Sequence, residues 1–429
     1  LQSGGKHRDP NGSLDDVPDG DPDNVDRRVV VVGGSIRWAA QSLQRAGWQV
    51  FGIDLFGDSD TRQACQSWLR LEDAVMDHES GGAGARESGD QAQAWANQLG
   101  CQVVSVGGLL GSTQDDLIGP GALASYAEQV GLAFPETHSL TTWSDRFGFA
   151  TPFAADDNHS WLIKSPRSTA GLGVRRMTRD RVDRMDETQS AGVVVQRQIL
   201  GRSYGLAALA HGDDLTLLGV CGGIHKTMHR SDLDLTLPYV YSGCVGPCAK
   251  KSIPWTSLRQ LAQRLSRDFH LQGLFNIDLV CDDDGKWWVL EVNPRPSASC
   301  EVIERDLIAR DLMSADDSLM NWHVRSRGHF DKPSPPIASR GLSLRDSESI
   351  ITIKRIVYSD RSGVFDSERL PTADAGSRKS VTIADVGMAG TCIGPGEPFA
   401  TILMTLSRAD LGIGMKLRQW VRRVQSSVV

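Results

Sequence analysis

The chain has 429 residues, 40% hydrophobic and 23% charged, with 46 Lys and Arg against 53 Asp and Glu for a net charge of −7. A chain of this length holds about two or three domains and can bury a core without disulfide or metal staples. No apolar run is long enough for a transmembrane helix, and the lack of a basic stripe argues against a dedicated nucleic-acid binder.

Residues 1–27 read as a disordered acidic leader, because seven aspartates in the first 26 positions face only Lys6 and Arg8 and no apolar segment resembles a secretory signal. An α/β unit is expected over 28–134. Val29 to Val32 is a continuous apolar run, as in a parallel strand covered on both faces. Gly33-Gly34-Ser35 is a tight turn, Ile36 to Ala46 is helical in composition, and Trp48 to Asp54 is a second strand. The turn lacks the third glycine of a dinucleotide fingerprint. Residues 77–90 read as a surface insertion, followed by a helix over 91–99 and a strand over 102–106.

The pattern changes at Trp161. Short strands are expected at 161–164, 193–196, 204–209 and 216–220, and a helix over 255–269. Two strands over 273–280 and 287–292 are joined by the turn Asp282-Asp283-Asp284-Gly285. Lys332-Pro333-Ser334-Pro335-Pro336 marks a linker, placed at 331–340, and a small β-rich domain is expected over 341–429. The eight cysteines include no CxxC pair and read as reduced thiols of a cytoplasmic protein. His225 and His229, in polar and glycine-rich surroundings, read as a loop or strand end rather than a zinc-binding helix face.

The chemistry concentrates on the hairpin. Glu291 and Asn293 are two positions apart, so on a strand they share a face, and the turn at 282–285 folds Asp278 back beside them. Two carboxylates and an amide oxygen make a hard-oxygen set suited to Mg²⁺, with Mn²⁺ as an alternative. Arg295 follows at once, a planar fork suited to phosphate oxygens.

These residues resemble the ATP-grasp superfamily. Glu291-Val292-Asn293-Pro294-Arg295 resembles its metal-binding E-x-N-P-R, and Asp278 falls where the other metal-binding acid sits. Lys164 with the loop Ser168, Thr169, Gly171 and Gly173 resembles the lysine strand and glycine-rich flap over the nucleotide phosphates. The segment holding Gln196, Gln198 and Ile199 resembles the hinge that holds adenine through main-chain groups, with Ser203 at the ribose position. The resemblance implies a pre-ATP-grasp α/β domain over 28–134 and a two-lobed ATP-grasp domain over 135–330, an α/β and α+β protein. It also implies ATP and Mg²⁺ as cofactors, with Lys164 and Arg295 catalytic.

Through Val32-Gly33-Gly34-Ser35, the run Gly52 to Asp60, and Tyr241-Ser242-Gly243, the whole-chain pattern resembles predicted ATP-dependent carboligases related to biotin carboxylase, from organisms using tetrahydromethanopterin- or methanofuran-type one-carbon carriers. The implied activity is ligation of a small-molecule carboxylate to an amine through an acylphosphate, in the cytoplasm, with no nucleic-acid or membrane partner; similar enzymes are commonly homodimers. Two alternatives stay open: bicarbonate-dependent carboxylation through carboxyphosphate, and a nucleotide-binding module without turnover. The second is motivated by Ser165, Ala170, Arg197 and Ser203, which depart from the family pattern. Arg146 is the nearest candidate for the superfamily's first ATP lysine.

Overall fold

In the computed structural model the described residues are 27–71, 83–107, 118–147, 160–165, 170–178, 192–230, 235–249, 251–327, 350–372, 374–375, 380–410 and 412–429. Residues 1–26 of the proposed leader and the proposed linker, together with Ser168 and Thr169, lie outside them.

The first unit is a parallel sheet. Strands β1 (Arg28–Gly33), β2 (Gln49–Asp54), β3 (Ser67–Arg70) and β4 (Gln102–Val106) take the order β3-β2-β1-β4. Helices α1 (Arg37–Arg45) and α2 (Ser59–Ala64) pack together beside β2, and α3 (Ala83–Leu99) packs on β1 and β4. The valine run explains the layering. Val29 and Val31 join the α1 side chains Ala39 and Leu43 in one cluster, while Val30 and Val32 join Trp95 and Ala96 of α3 in another. All four valines have no exposed surface; each contributes about 1.5–3 kcal/mol by leaving water. The helix begins at Ala83 rather than at 91, so it takes in part of the segment read as an insertion.

Helix α4 (Pro120–Gln129) leads into a small antiparallel sheet of β5 (Thr137–Ser139), β6 (Trp161–Lys164), β7 (Val174–Arg176) and β8 (Val194–Arg197), in the order β5-β8-β6-β7, with α5 (Leu140–Phe147) against it. The larger lobe starts with three long strands, β9 (Arg202–His211), β10 (Asp214–Arg230) and β11 (Leu235–Gly246). Helix α6 (Trp255–Asp268) buries Leu258, Leu261, Ala262 and Leu265, the spacing of one helical face. The same cluster takes in Phe275, Ile277 and Leu279 of β12 (Gly273–Cys281), which with β13 (Trp287–Asn293) forms the hairpin expected from the sequence. His225 and His229 lie within β10, not in a loop, and bond separately to Ser203 and Thr236.

Helices α7 (Ala298–Ala309) and α8 (Leu319–Arg327) follow the hairpin. The last segment comprises β14 (Ile350–Tyr358), β15 (Gly363–Val364), β16 (Asp374–Ala375), β17 (Ser380–Ala384), β18 (Cys392–Ile393), β19 (Pro398–Ser407) and α9 (Ile413–Gln425). Its strands continue the large sheet: β14 pairs with β11 over Thr352–Arg355, giving nine strands in the order β13-β12-β9-β10-β11-β14-β19-β17-β16. Among the described residues no helix is long and apolar enough to cross a membrane.

Candidate active site

The site grows from the register of one hairpin. Asp278 stands directly opposite Glu291, and Asn276 opposite Asn293. Opposed residues share a face, and so do positions two apart on each strand, so all four side chains converge. Asn293 Nδ2 donates to Asp278 Oδ2 at 3.1 Å and to Glu291 Oε1 at 3.3 Å. Asn276 Nδ2 donates to Asp278 Oδ1 at 2.6 Å, and its own oxygen accepts from Ser297 Oγ at 3.2 Å. Sequence reasoning missed Asn276; its position two before Asp278 is the signal that it shares the acid's face.

The two carboxyls lie within hydrogen-bonding reach of each other. Burial and the neighbouring Glu291 push Asp278 well above the ordinary carboxylate range. The surroundings also oppose the charge of Glu291, but Lys164, Asp278, Asn293 and Arg295 together hold it below its ordinary value. Such a pair repels unless a proton or cation lies between its members. The Asn293 amide group already places N–H donors against both acids, and turning that amide would offer Oδ1 instead. The donor set therefore fits a hard divalent cation. Among the described residues no group of three or more His, Cys, Asp or Glu side chains is arranged for a metal; here the third donor is an amide.

Lys164 acts on this face electrostatically from a different sheet. It ends β6, between Val174 of β7 and Val194 of β8, and its charge acts on Glu291. Arg295 leaves the hairpin with its N–H on the Asn293 carbonyl at 2.8 Å, and its charge acts on both carboxylates.

Beyond Lys164 the chain returns through a tight turn. Ser165 N–H donates to the Gly173 carbonyl at 3.2 Å, and Val174 N–H to that of Gly171 at 3.2 Å. Gly171 has φ of +76°, and a Cβ there would sit 1.9 Å from the Tyr239 carbonyl oxygen, so only glycine fits. The turn thus docks on β11.

The expected hinge is β8 and the residues after it. Gln196 is buried and donates to Thr137 Oγ1 at 3.0 Å, while the Gln198 side chain bridges Ser160 and the Tyr239 hydroxyl. Both amide side chains are thus spent inside the protein, and Ile199 is half-buried where the chain leaves the strand. Ser203, on β9, shares a hydrogen bond with His225 Nδ1 at 3.1 Å. The side chain of Arg146 lies outside the described residues.

Comparison with known proteins points the same way. The family described as the ATP-grasp domain matches residues 129–299. The carbamoyl phosphate synthase large chain of Agathobacter rectalis is 28% identical over 134 residues, which is 29% of this chain and only 12% of that protein's length. Among solved structures, the L-amino acid ligase from Bacillus licheniformis superposes with a TM-score of 0.56 at 12% identity, covering 94% of this chain and 98% of its own. The biotin carboxylase domain of the Hydrogenobacter thermophilus 2-oxoglutarate carboxylase gives 0.57 at 11% identity, covering 88% and 86%. At these identities the likeness is one of fold. The segment matched by the ATP-grasp domain family, residues 129–299, contains both the strand ending in Lys164 and the 273–293 hairpin.

Proposed function

We propose that this chain is an ATP- and Mg²⁺-dependent, ADP-forming ligase that joins a small-molecule carboxylate to an amine. The observation that carries the reading is the convergence of Asp278, Glu291 and Asn293 on one hairpin face, with Lys164 brought to it from another sheet. Asp278, Glu291 and Asn293 would hold the metal, which when bound neutralises charge on the nucleotide's phosphates.

The protein's own residues supply the rest. Lys164 adds a cation where the phosphates lie, and the turn at 170–173 lets main-chain N–H groups approach oxygens without side-chain interference. Gln196, Gln198 and Ile199 line the adenine end through their main chain, with Ser203 toward the ribose. In the first step the carboxylate oxygen attacks the γ-phosphorus, giving an acylphosphate and ADP. In the second the amine nitrogen attacks the carbonyl carbon, and phosphate leaves. Arg295 faces the charge that develops in both steps.

The finer assignment, biosynthesis of a tetrahydromethanopterin- or methanofuran-type carrier, is supported by the similarity of residues 32–35, 52–60 and 241–243 to carboligases of organisms using those carriers. A cytoplasmic homodimer, divided at 28–134, 135–330 and 341–429, goes with this reading.

The test is ADP release from purified protein with ATP and Mg²⁺ against panels of acids and amines. Release requiring both substrates, and lost in Asp278→Asn, is expected. Release needing only bicarbonate would replace the ligase with a carboxylase. Tight ATP binding with no product across the panels would leave a silent nucleotide-binding module.

A further inference from the structure

The edge of β11 carries a second message about the glycine turn. Strand β14 pairs with β11 only over Gly243–Gly246, so the main-chain groups of Tyr241 beyond that register need other partners on that side. At Gly243 the approach is tightest: a Cβ would sit 2.0 Å from the Lys354 carbonyl oxygen. Past it, the Tyr241 N–H donates to the Ala170 carbonyl at 2.9 Å, and the Tyr241 carbonyl accepts from the Tyr358 hydroxyl at 2.6 Å. One residue therefore grips the turn with its N–H while its C=O is held by the last residue of β14.

Packing repeats the link. Leu172 of the turn and the Tyr358 ring both pack on Met228, Leu237 and Val240. The Lys226 ammonium lies 4.1 Å from the Tyr358 ring centroid, and Gln425 of α9 donates to the Tyr358 carbonyl at 3.1 Å. A Cβ at Gly396 would sit 3.2 Å from the Met228 sulfur. The C-terminal segment thus reaches the 170–173 turn through Tyr358 and Tyr241.

We infer that Tyr358 is a positioning residue: by fixing Tyr241 it holds the 170–173 turn at the place where the nucleotide's phosphates bind. The inference rests on the ATP-grasp reading for its ligand, but the contact itself can be tested without nucleotide.

The experiment compares the full-length protein with Tyr358→Phe, which keeps the ring, its apolar packing and the Lys226 contact while removing the hydroxyl. Loss of one hydrogen bond corresponds to about 3- to 10-fold in an equilibrium. Hydrogen exchange at the Tyr241 amide in the nucleotide-free protein is expected to rise by about that factor. Affinity for MgATP is expected to fall by about the same factor, while affinity for adenosine, which has no phosphates, stays unchanged. Leu172→Ala, made on the turn itself, should give the same split and serves if Tyr358→Phe unfolds. Unchanged exchange at Tyr241, or equal losses for MgATP and adenosine, would overturn the inference. Wild-type protein that binds neither nucleotide nor adenosine would instead sink the ATP reading, with the exchange arm still deciding the contact.

Discussion

Arg37 and Asp385 stand 348 positions apart and meet at 2.7 Å between Nε and Oδ1. The same guanidinium, 2% exposed, pairs with Glu301 at 2.7 Å, and Lys354 Nζ reaches the other Glu301 oxygen at 2.6 Å. One cation thus ties the first α/β unit to the helix after the β12–β13 hairpin and to the C-terminal strands. Burial opposes the charge of Arg37, but Asp385, Glu301 and Asp60 outweigh it and raise its pKa. Burial likewise opposes the charge of Asp385, yet Arg37 and Lys354 hold it well below the usual carboxylate range.

Removing the hub cation should therefore be severe. Arg37→Met leaves buried carboxylates without their partner and is expected to cost about 3–5 kcal/mol. Thermal unfolding measures it, and adding Asp385→Asn should cost much less than its separate loss, since the partners share one interaction. Strictly additive losses would show that the contact carries little energy.

Asp58 gives a pH signature. Its side chain is 6% exposed, and burial, with Asp385, Asp54 and Asp60 nearby, pushes it up to about 8. A raised acid binds its proton more tightly when folded, so its contribution is fully present below the unfolded value near ~4 and is lost as pH rises through 8. Stability of Asp58→Asn should fall less than that of wild type between pH 5 and 8. Urea unfolding at several pH values would show parallel curves if Asp58 were not responsible.

For the hairpin, Glu291→Gln keeps the shape and removes a charge. Metal-assisted charge neutralisation contributes several kcal/mol, so ADP formation should drop by about 10²-fold or more. Mn²⁺ binding, read by electron paramagnetic resonance, should weaken in parallel. Full activity in this variant would refute the metal assignment.

The glycine turn offers a contrast between neighbours. Gly171→Ala places a methyl in the Tyr239 carbonyl and must displace the turn, so MgATP affinity should fall by about 10-fold or more. Ala170 already has φ of +53°, a region costing an L-residue about 1–2 kcal/mol. Ala170→Gly relieves that strain but loosens the unfolded chain by about 0.4–1 kcal/mol. Its stability should therefore rise by no more than about 1.6 kcal/mol, and calorimetry on both variants separates the two cases.

Much of the site was legible because strand geometry is local. A period of two puts Glu291 with Asn293 and Asn276 with Asp278 on common faces, and the turn at 282–285 fixes which strand each meets. The α/β start was legible for the same reason, since four consecutive valines need cover on two sides. The start of α3 at Ala83 was not, because Gly81, Gly82 and Gly84 read as loop while packing further along carries the helix.

The sequence by itself determined the hairpin that gathers Asp278, Glu291 and Asn293, the strand ending in Lys164 and the layering around β1, because each follows from residue type and short-range periodicity. Only the tertiary structure decided that the charge of Lys164 acts on Glu291, that Tyr358 reaches Tyr241, and that Arg37 meets Asp385. Those meetings depend on how sheets and helices pack to bury apolar surface, and a pairing across hundreds of residues leaves no periodic trace in either partner's neighbourhood.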